Sequence, residues 1–160
     1  MVSCIIESGR PLLLEVQALV TKSAFGIARR TINGADINRL NLLIAIIEKR
    51  MNIPLYQFDI YINITGGLKI KDTSIDLAII MAIISSYKNV ALKNDCIYCG
   101  EVGLSGEVRS ISNINTRVKE AIKLRYKNIF LPKTNVDSLD SDAIKKYNGI
   151  EIKPIQDVMN

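Results

Sequence analysis

The sequence contains no histidine and no tryptophan among its 160 residues. Without imidazole there is no Ser-His-Asp or Cys-His catalytic arrangement, no imidazole-ligated metal site and no histidine pH switch. Any catalysis falls to carboxylate, lysine, arginine, hydroxyl, thiol or backbone groups. Cysteine is scarce: Cys4, Cys96 and Cys99 are an odd set of three, which argues against a disulfide framework and for a reducing, cytoplasmic setting. The longest apolar run covers residues 77–84, far short of the roughly 20 residues of a membrane span. The first seven residues lack a basic n-region and are not read as a signal peptide. Repeats, low-complexity tracts and Pro/Gly/Ser-rich linkers are missing, so a single domain over residues 1–160 is expected.

What is present suits a globular chain. Hydrophobic residues make up 48% and charged residues 23%, an ordinary balance for a folded core and a wet surface. The net charge of +5 permits a polyanionic partner without requiring one. Residues 2–8 and 12–21 are rich in Val, Ile and Leu, flank Ser8-Gly9-Arg10-Pro11 and predict a β-hairpin. Residues 22–35 read as a polar loop carrying Gly26 and Gly34. Asp36 then N-caps a helix running to about Met51, with Leu40, Leu43, Ile44 and Ile47 on one stripe. Residues 58–64 alternate with period two, as a half-buried strand does. The helix opened by Thr73-Ser74-Ile75-Asp76 is apolar nearly all round to Ile84, which predicts a central buried helix. Beyond it come a strand over 96–102, a hairpin turn at 103–106, an amphipathic helix over 113–126, a strand at 128–131 and a small strand near 150–152. Mixed strands and helices with an early hairpin predict an α+β or α/β fold.

Four features invite a chemical reading. Cys96-Ile97-Tyr98-Cys99 has CxxC spacing, but zinc needs four ligands and a redox pair prefers a helix N-terminus. On a strand the two thiols face opposite sides, so core cysteines are expected. Neither glycine segment, at 65–69 or 103–106, has Walker A spacing, and no GxGxxG occurs. Asp76 suggests a catalytic carboxylate, yet Thr73 to Asp76 also has capping-box spacing, the preferred reading. Residues 22–50 carry a net +4 and residues 109–133 a net +6. Lys119, Lys123 and Lys127 follow i, i+4, i+8 spacing and fit a solvated helix face. The adjacent Arg29-Arg30 in a glycine-bearing loop suit phosphate contacts or an intersubunit ion pair.

Several motifs in order resemble the C-terminal domain of the bacterial RadA (Sms) family. They begin with Arg10-Pro11-Leu12-Leu13-Leu14-Glu15-Val16-Gln17-Ala18-Leu19-Val20. Phe25-Gly26, Arg29-Arg30-Thr31, Gly34, Asp36, Asn38-Arg39 and Glu48-Lys49-Arg50 follow. Gly66-Gly67, Asp76-Leu77-Ala78 and the segment from Gly100-Glu101-Val102 through Gly106-Glu107-Val108-Arg109 complete it. The resemblance covers about Ser3 to Asn135. It implies an α+β sandwich like ribosomal protein S5 domain 2, shared with the proteolytic domain of Lon, as a C-terminal piece of a longer RadA-type protein. ATP, magnesium and zinc then belong to N-terminal parts outside this chain, and no cofactor is expected here.

Lon hydrolyses peptides with a Ser-Lys dyad. Matching its Pro-Lys-Asp-Gly-Pro-Ser-Ala-Gly stretch on Lys71-Asp72 puts Ile75 at the nucleophile, and matching on Gly100-Glu101 and Gly106 puts Asn115 at the lysine. Neither residue can do that chemistry. A shifted dyad of Ser74 with Lys69 or Lys71 is the remaining peptidase reading. The resemblance therefore implies a proteolytically inactive, hexamer-forming domain that binds single-stranded or branched DNA, with a RecA-type recombinase as a further partner and no membrane. Arg29, Arg30 and Arg39 would line a DNA passage, and Arg117, Lys119 and Lys123 would supply a second basic surface. The alternative is a pure oligomerisation module, with Arg29, Arg30 and Arg39 pairing with acids such as Asp36, Glu48 or Glu101 across subunits.

Overall fold

A 13-residue strand organises the sheet. In the computed structural model, which describes residues 1–24 and 26–140, residues 142 and 145, and the backbone of Glu151–Ile155, β1 (Val2–Glu7) and β2 (Arg10–Lys22) form the expected hairpin. Ser8 and Gly9 both take positive φ, 49° and 78°, the backbone that a tight turn between twisted strands demands. The first half of β2 pairs with β1, and the second half continues past it to pair with a different strand.

Along the chain come β3 (Arg30–Asn33), α1 (Ile37–Met51), β4 (Phe58–Ile64), α2 (Asp76–Lys88), β5 (Cys96–Tyr98), β6 (Glu101–Val102), β7 (Val108–Arg109), α3 (Ile114–Lys123), β8 (Asn128–Pro132), α4 (Lys133–Asp137) and β9 (Glu151–Ile155). The seven-stranded sheet runs β3-β4-β2-β1-β5-β8-β9. β1/β2 and β2/β4 are antiparallel, while β3/β4, β1/β5, β5/β8 and β8/β9 are parallel. The fold is α+β with a mostly parallel central sheet. Of the expected terminal strand near 150–152, Ile150 lies outside the described residues, and the strand extends to Ile155.

Period-two alternation splits the core between the sheet's faces. Ile5 points into the larger cluster with Leu40, Leu43, Ile47, Ile60, Ile80 and Ile83 of α1, β4 and α2. Its neighbour Cys4 points into the smaller one, with Ile97, Val118, Ala121 and Ile129 beneath α3. α2 is buried from Asp76 to Ile83 apart from half-buried Met81, as its all-round apolar sequence predicts, and emerges over its last turn to exposed Lys88. Each fully buried Ile or Leu contributes roughly 1.5–3 kcal/mol over an exposed one. Cys96 and Cys99 fall into opposite clusters, as the strand reading requires. Burial pushes the Cys4 thiol up to about 12 and raises that of Cys99.

Three elements differ from the sequence reading. The loop over 22–35 contains β3, a four-residue edge strand too short to show a pattern. α4 follows Pro132 unannounced. The strand expected over 96–102 breaks after Tyr98, where Gly100 docks on the start of α2: its N–H donates to the Ser74 carbonyl (2.9 Å) and its own carbonyl accepts from Leu77 N–H (3.1 Å). A Cβ at Gly100 would lie 2.5 Å from Val108 Cγ1 of β7, so a larger residue there forces the Val108 side chain to shift. Among the described residues, no helix is long and apolar enough to cross a membrane.

Candidate functional site

The N-terminus of α2 is where the polar interior of the chain collects. Asp72 caps the 3-10 turn Thr73–Ile75 by accepting from Ser74 N–H (3.0 Å), and also accepts from Ile6 N–H (2.9 Å) on β1. Arg117 of α3 completes the cluster. Its Nη2 donates to Asp72 Oδ2 (2.8 Å), its Nη1 to the Cys4 carbonyl (2.6 Å) and Ser74 Oγ (2.7 Å), and its Nε to the Ser112 carbonyl (2.9 Å). The Arg117 residue is only 2% exposed. Burial pushes the Asp72 carboxyl up, but the Ile6 and Ser74 N–H groups and the Arg117 charge outweigh it and hold its pKa below the usual value.

Asp76, one turn on, is fully buried and belongs to a second ion pair. Arg39 Nε donates to its Oδ1 (3.0 Å) and Arg39 Nη2 to its Oδ2, a two-point clasp. Val102 N–H also donates to Asp76 Oδ2 (3.1 Å), and Arg39 Nη2 reaches the Val102 carbonyl (3.1 Å). The hydrogen bond to Asp76 raises the Arg39 pKa. This corrects the capping-box reading: Asp72 is the cap, Asp76 is an ion-pair partner, and the Thr73 hydroxyl donates to Glu101 Oε2 (2.6 Å) instead.

The positions matched to the Lon dyad hold no nucleophile–base geometry. Ile75 is buried in the larger cluster, and Asn115 Oδ1 accepts from Asp140 N–H (3.1 Å). Ser74 is fully buried, and the cation at its hydroxyl is the guanidinium of Arg117, while Lys69 and Lys71 are exposed. A guanidinium stays protonated and cannot take a proton from a serine. Among the described residues, no group of three or more Cys, Asp or Glu could hold a metal ion.

The six arginines and lysines expected to meet DNA divide into two sets. Arg30, Arg39 and Arg117 hold the fold together. Arg30 donates from Nη2 to the Leu55 carbonyl (2.9 Å) and from Nη1 to the carbonyls of Phe58 and Arg29, and burial lowers its pKa. Their donors point at backbone and carboxylates within the chain, so the fold itself uses these three guanidinium groups. Arg29, Lys119 and Lys123 are exposed. Arg29 lies at the start of β3, its N–H held by Asp59 Oδ1 (2.8 Å). Lys119 and Lys123 share the outer face of α3, with Lys127 exposed just beyond it and Glu120 3.6 Å from Lys123 Nζ. Of the acids offered as intersubunit partners, Asp36 and Glu101 have internal work, whereas Glu48 Oε1 is buried with no hydrogen-bond partner among the described residues. Asp36 accepts from the N–H groups of Asn38 and Arg39 at the α1 cap, and Glu101 lies 3.7 Å from Arg109.

The comparisons with known proteins support the resemblance to RadA proteins. A family model described as ChlI, subunit ChlI of Mg-chelatase, matches residues 18–135. A DNA repair protein RadA of Helicobacter pylori is 41% identical over 146 residues, covering 88% of this chain and 33% of that protein. RadA of Bacillus subtilis is 41% identical over 153 residues, 96% of this chain and 32% of that protein. RadA of Chlamydia muridarum is 39% identical over 155 residues, 97% and 34% respectively. The chain thus spans about a third of the length of these relatives. The chain belongs to the ChlI family, with proteins named DNA repair protein RadA as relatives at about 40% identity.

Proposed function

We propose that the chain is a DNA-binding scaffold domain of a RadA-type DNA repair protein, of the Lon-like S5 domain 2 class, hexamer-forming and without peptidase chemistry of its own. It acts as one domain, in the cytoplasm, at the C-terminal end of a longer ATP-driven protein whose other parts hold ATP, magnesium and zinc. Single-stranded or branched DNA is its ligand, and a RecA-type recombinase a further partner. The observation that carries the reading is the division of the basic residues, beside relatives named for DNA repair. Arg30, Arg39 and Arg117 are engaged within the fold, while Lys119 and Lys123 stand exposed on the outer face of α3 and Arg29 is exposed beside β3. Lysines on a solvated helix neutralise phosphates without reading bases. The surroundings of Ser74 support the absence of hydrolysis, because the cation at its hydroxyl is a buried guanidinium, which cannot act as a base.

The test is salt dependence. With Arg29, Lys119 and Lys123 as the phosphate contacts, log affinity falls against log salt with a slope of about −3, rather than the −5 that six contacts would give. Fluorescence anisotropy with a labelled branched DNA reads the slope, and Lys119→Ala/Lys123→Ala lowers it to about −1. Binding indifferent to salt, or unchanged in that variant, contradicts the proposal.

A further inference from the structure

β3 is the outermost strand of the sheet, with β4 on one side and, among the described residues, no strand on the other. Ile60 N–H donates to the Arg29 carbonyl (2.9 Å), which fixes the alternation of the parallel ladder. Thr31 and Asn33 turn their backbone groups to β4, so Ile32 turns its N–H and C=O to the open edge. Such an edge is a template for another extended chain.

A cleft of about 320 Å³ opens beside it, between β3 and the N-termini of α1 and α2. Ile32, Leu40, Ile70 and Ile79 give it apolar walls, and Lys69 and Lys71 stand at its rim. Ile70 N–H donates to the Gly34 carbonyl (2.7 Å), which anchors residues 69–71 just past the end of the free edge. The carboxylates around the cleft are already engaged within the chain. Asp76 is taken by Arg39, Asp72 by Arg117, and Asp36 is turned into the α1 backbone. Lys69 and Lys71 are exposed and have no ion-pair partner among the described residues.

We propose that the free edge of β3 and this cleft dock an extended peptide segment of a partner protein, apolar where it enters the cleft and acidic where it passes the rim. Backbone pairing to Ile32 supplies register, and side chains at alternate positions fall on the cleft side, as in other strand-addition complexes. Apolar residues meet the walls, and acidic ones two and four positions along meet Lys69 and Lys71. The site uses none of the cations assigned to DNA, so the two readings fail separately.

The probe is a fluorescein-labelled Thr-Val-Thr-Leu-Thr-Glu-Thr-Glu peptide, with a control carrying lysine for glutamate, titrated against the 160-residue chain by anisotropy. Saturable binding of the acidic peptide is expected, weakened at least about tenfold by Lys69→Glu/Lys71→Glu, which gains affinity for the lysine peptide. Ile32→Pro removes the free N–H at an edge position where proline is tolerated, and weakens binding by a similar factor of about ten. The surface lysine variant keeps the question answerable if the proline variant does not fold. No saturable binding, or equal binding by the parent and the lysine variant, overturns the proposal. If Lys69→Glu/Lys71→Glu loses DNA affinity while peptide binding is unmoved, these lysines serve nucleic acid and the peptide site falls while the DNA reading stands.

Discussion

Replacing Arg117 with methionine lowers the unfolding free energy by about 3–5 kcal/mol, the cost of breaking a buried ion pair from one side. The side chain fills its space, but four acceptors lose the donor that Arg117 supplies: the Asp72 carboxylate, the Ser74 hydroxyl and the carbonyls of Cys4 and Ser112. Arg117→Lys does not restore stability, because one ammonium cannot reach groups that three guanidinium nitrogens reach in different directions. Urea titration reads both variants as a drop in midpoint at unchanged slope. The pH dependence has a definite sign. Asp72 is held below its ordinary value in the folded chain, so its contribution is present above the unfolded carboxyl value of about 3.9 and is lost as pH falls through the lower folded value. Arg117→Met loses the part of that acid-sensitive component that the Arg117 charge supplies, while the Ile6 and Ser74 N–H groups keep theirs. Parent-like stability of Arg117→Met would mean that the network at the start of α2 holds nothing together.

Asp76→Leu produces the second large effect, again about 3–5 kcal/mol, because it strands the Arg39 guanidinium against the apolar flank of α2. The double change Arg39→Met/Asp76→Leu recovers more than half of the loss, since a buried ion pair is replaced at little net cost when both partners go together. The hairpin of β6 and β7 loosens in the single variant, because Val102 N–H and C=O both engage this pair. DNA affinity is unchanged in every member of the cycle, which separates Arg39 from the cations on the outer face of α3. A fall in DNA affinity on Arg39→Met with the fold intact would return Arg39 to the DNA surface.

Those two arginines also show where sequence reading stops. The hairpin, α1, β4, α2 and α3 were all legible, because a buried face imposes period 2 or 3.6 on neighbouring residues and the pattern is local. Ion pairs have no such periodicity: Arg117 and Asp72 are 45 positions apart, Arg39 and Asp76 are 37. A run of positive charge therefore looked like one surface. One signal was available. Arg117 stands three residues after Ile114 and four before Ala121, on the stripe that α3 buries, and a cation there needs an internal partner. Arg39 likewise stands beside Leu40 and four residues before Leu43. Lys119 and Lys123, on the opposite stripe, were placed outside by the same helical period. β3 was illegible because its four residues owe their conformation to β4 beside them, and strand formation depends on such pairing more than on composition. The capping box at Thr73 failed for a similar reason, since Asp72 stands one position earlier and caps first.

The most direct measurement is size-exclusion chromatography with light scattering on the chain at low and high salt, with and without a short branched DNA oligonucleotide. The account predicts a species near six times 17.8 kDa that takes up DNA at low salt and releases it at high salt. A monomer that ignores DNA at every salt concentration would contradict it, and would move both assembly and DNA binding to the two-thirds of the relatives' length that this chain does not cover.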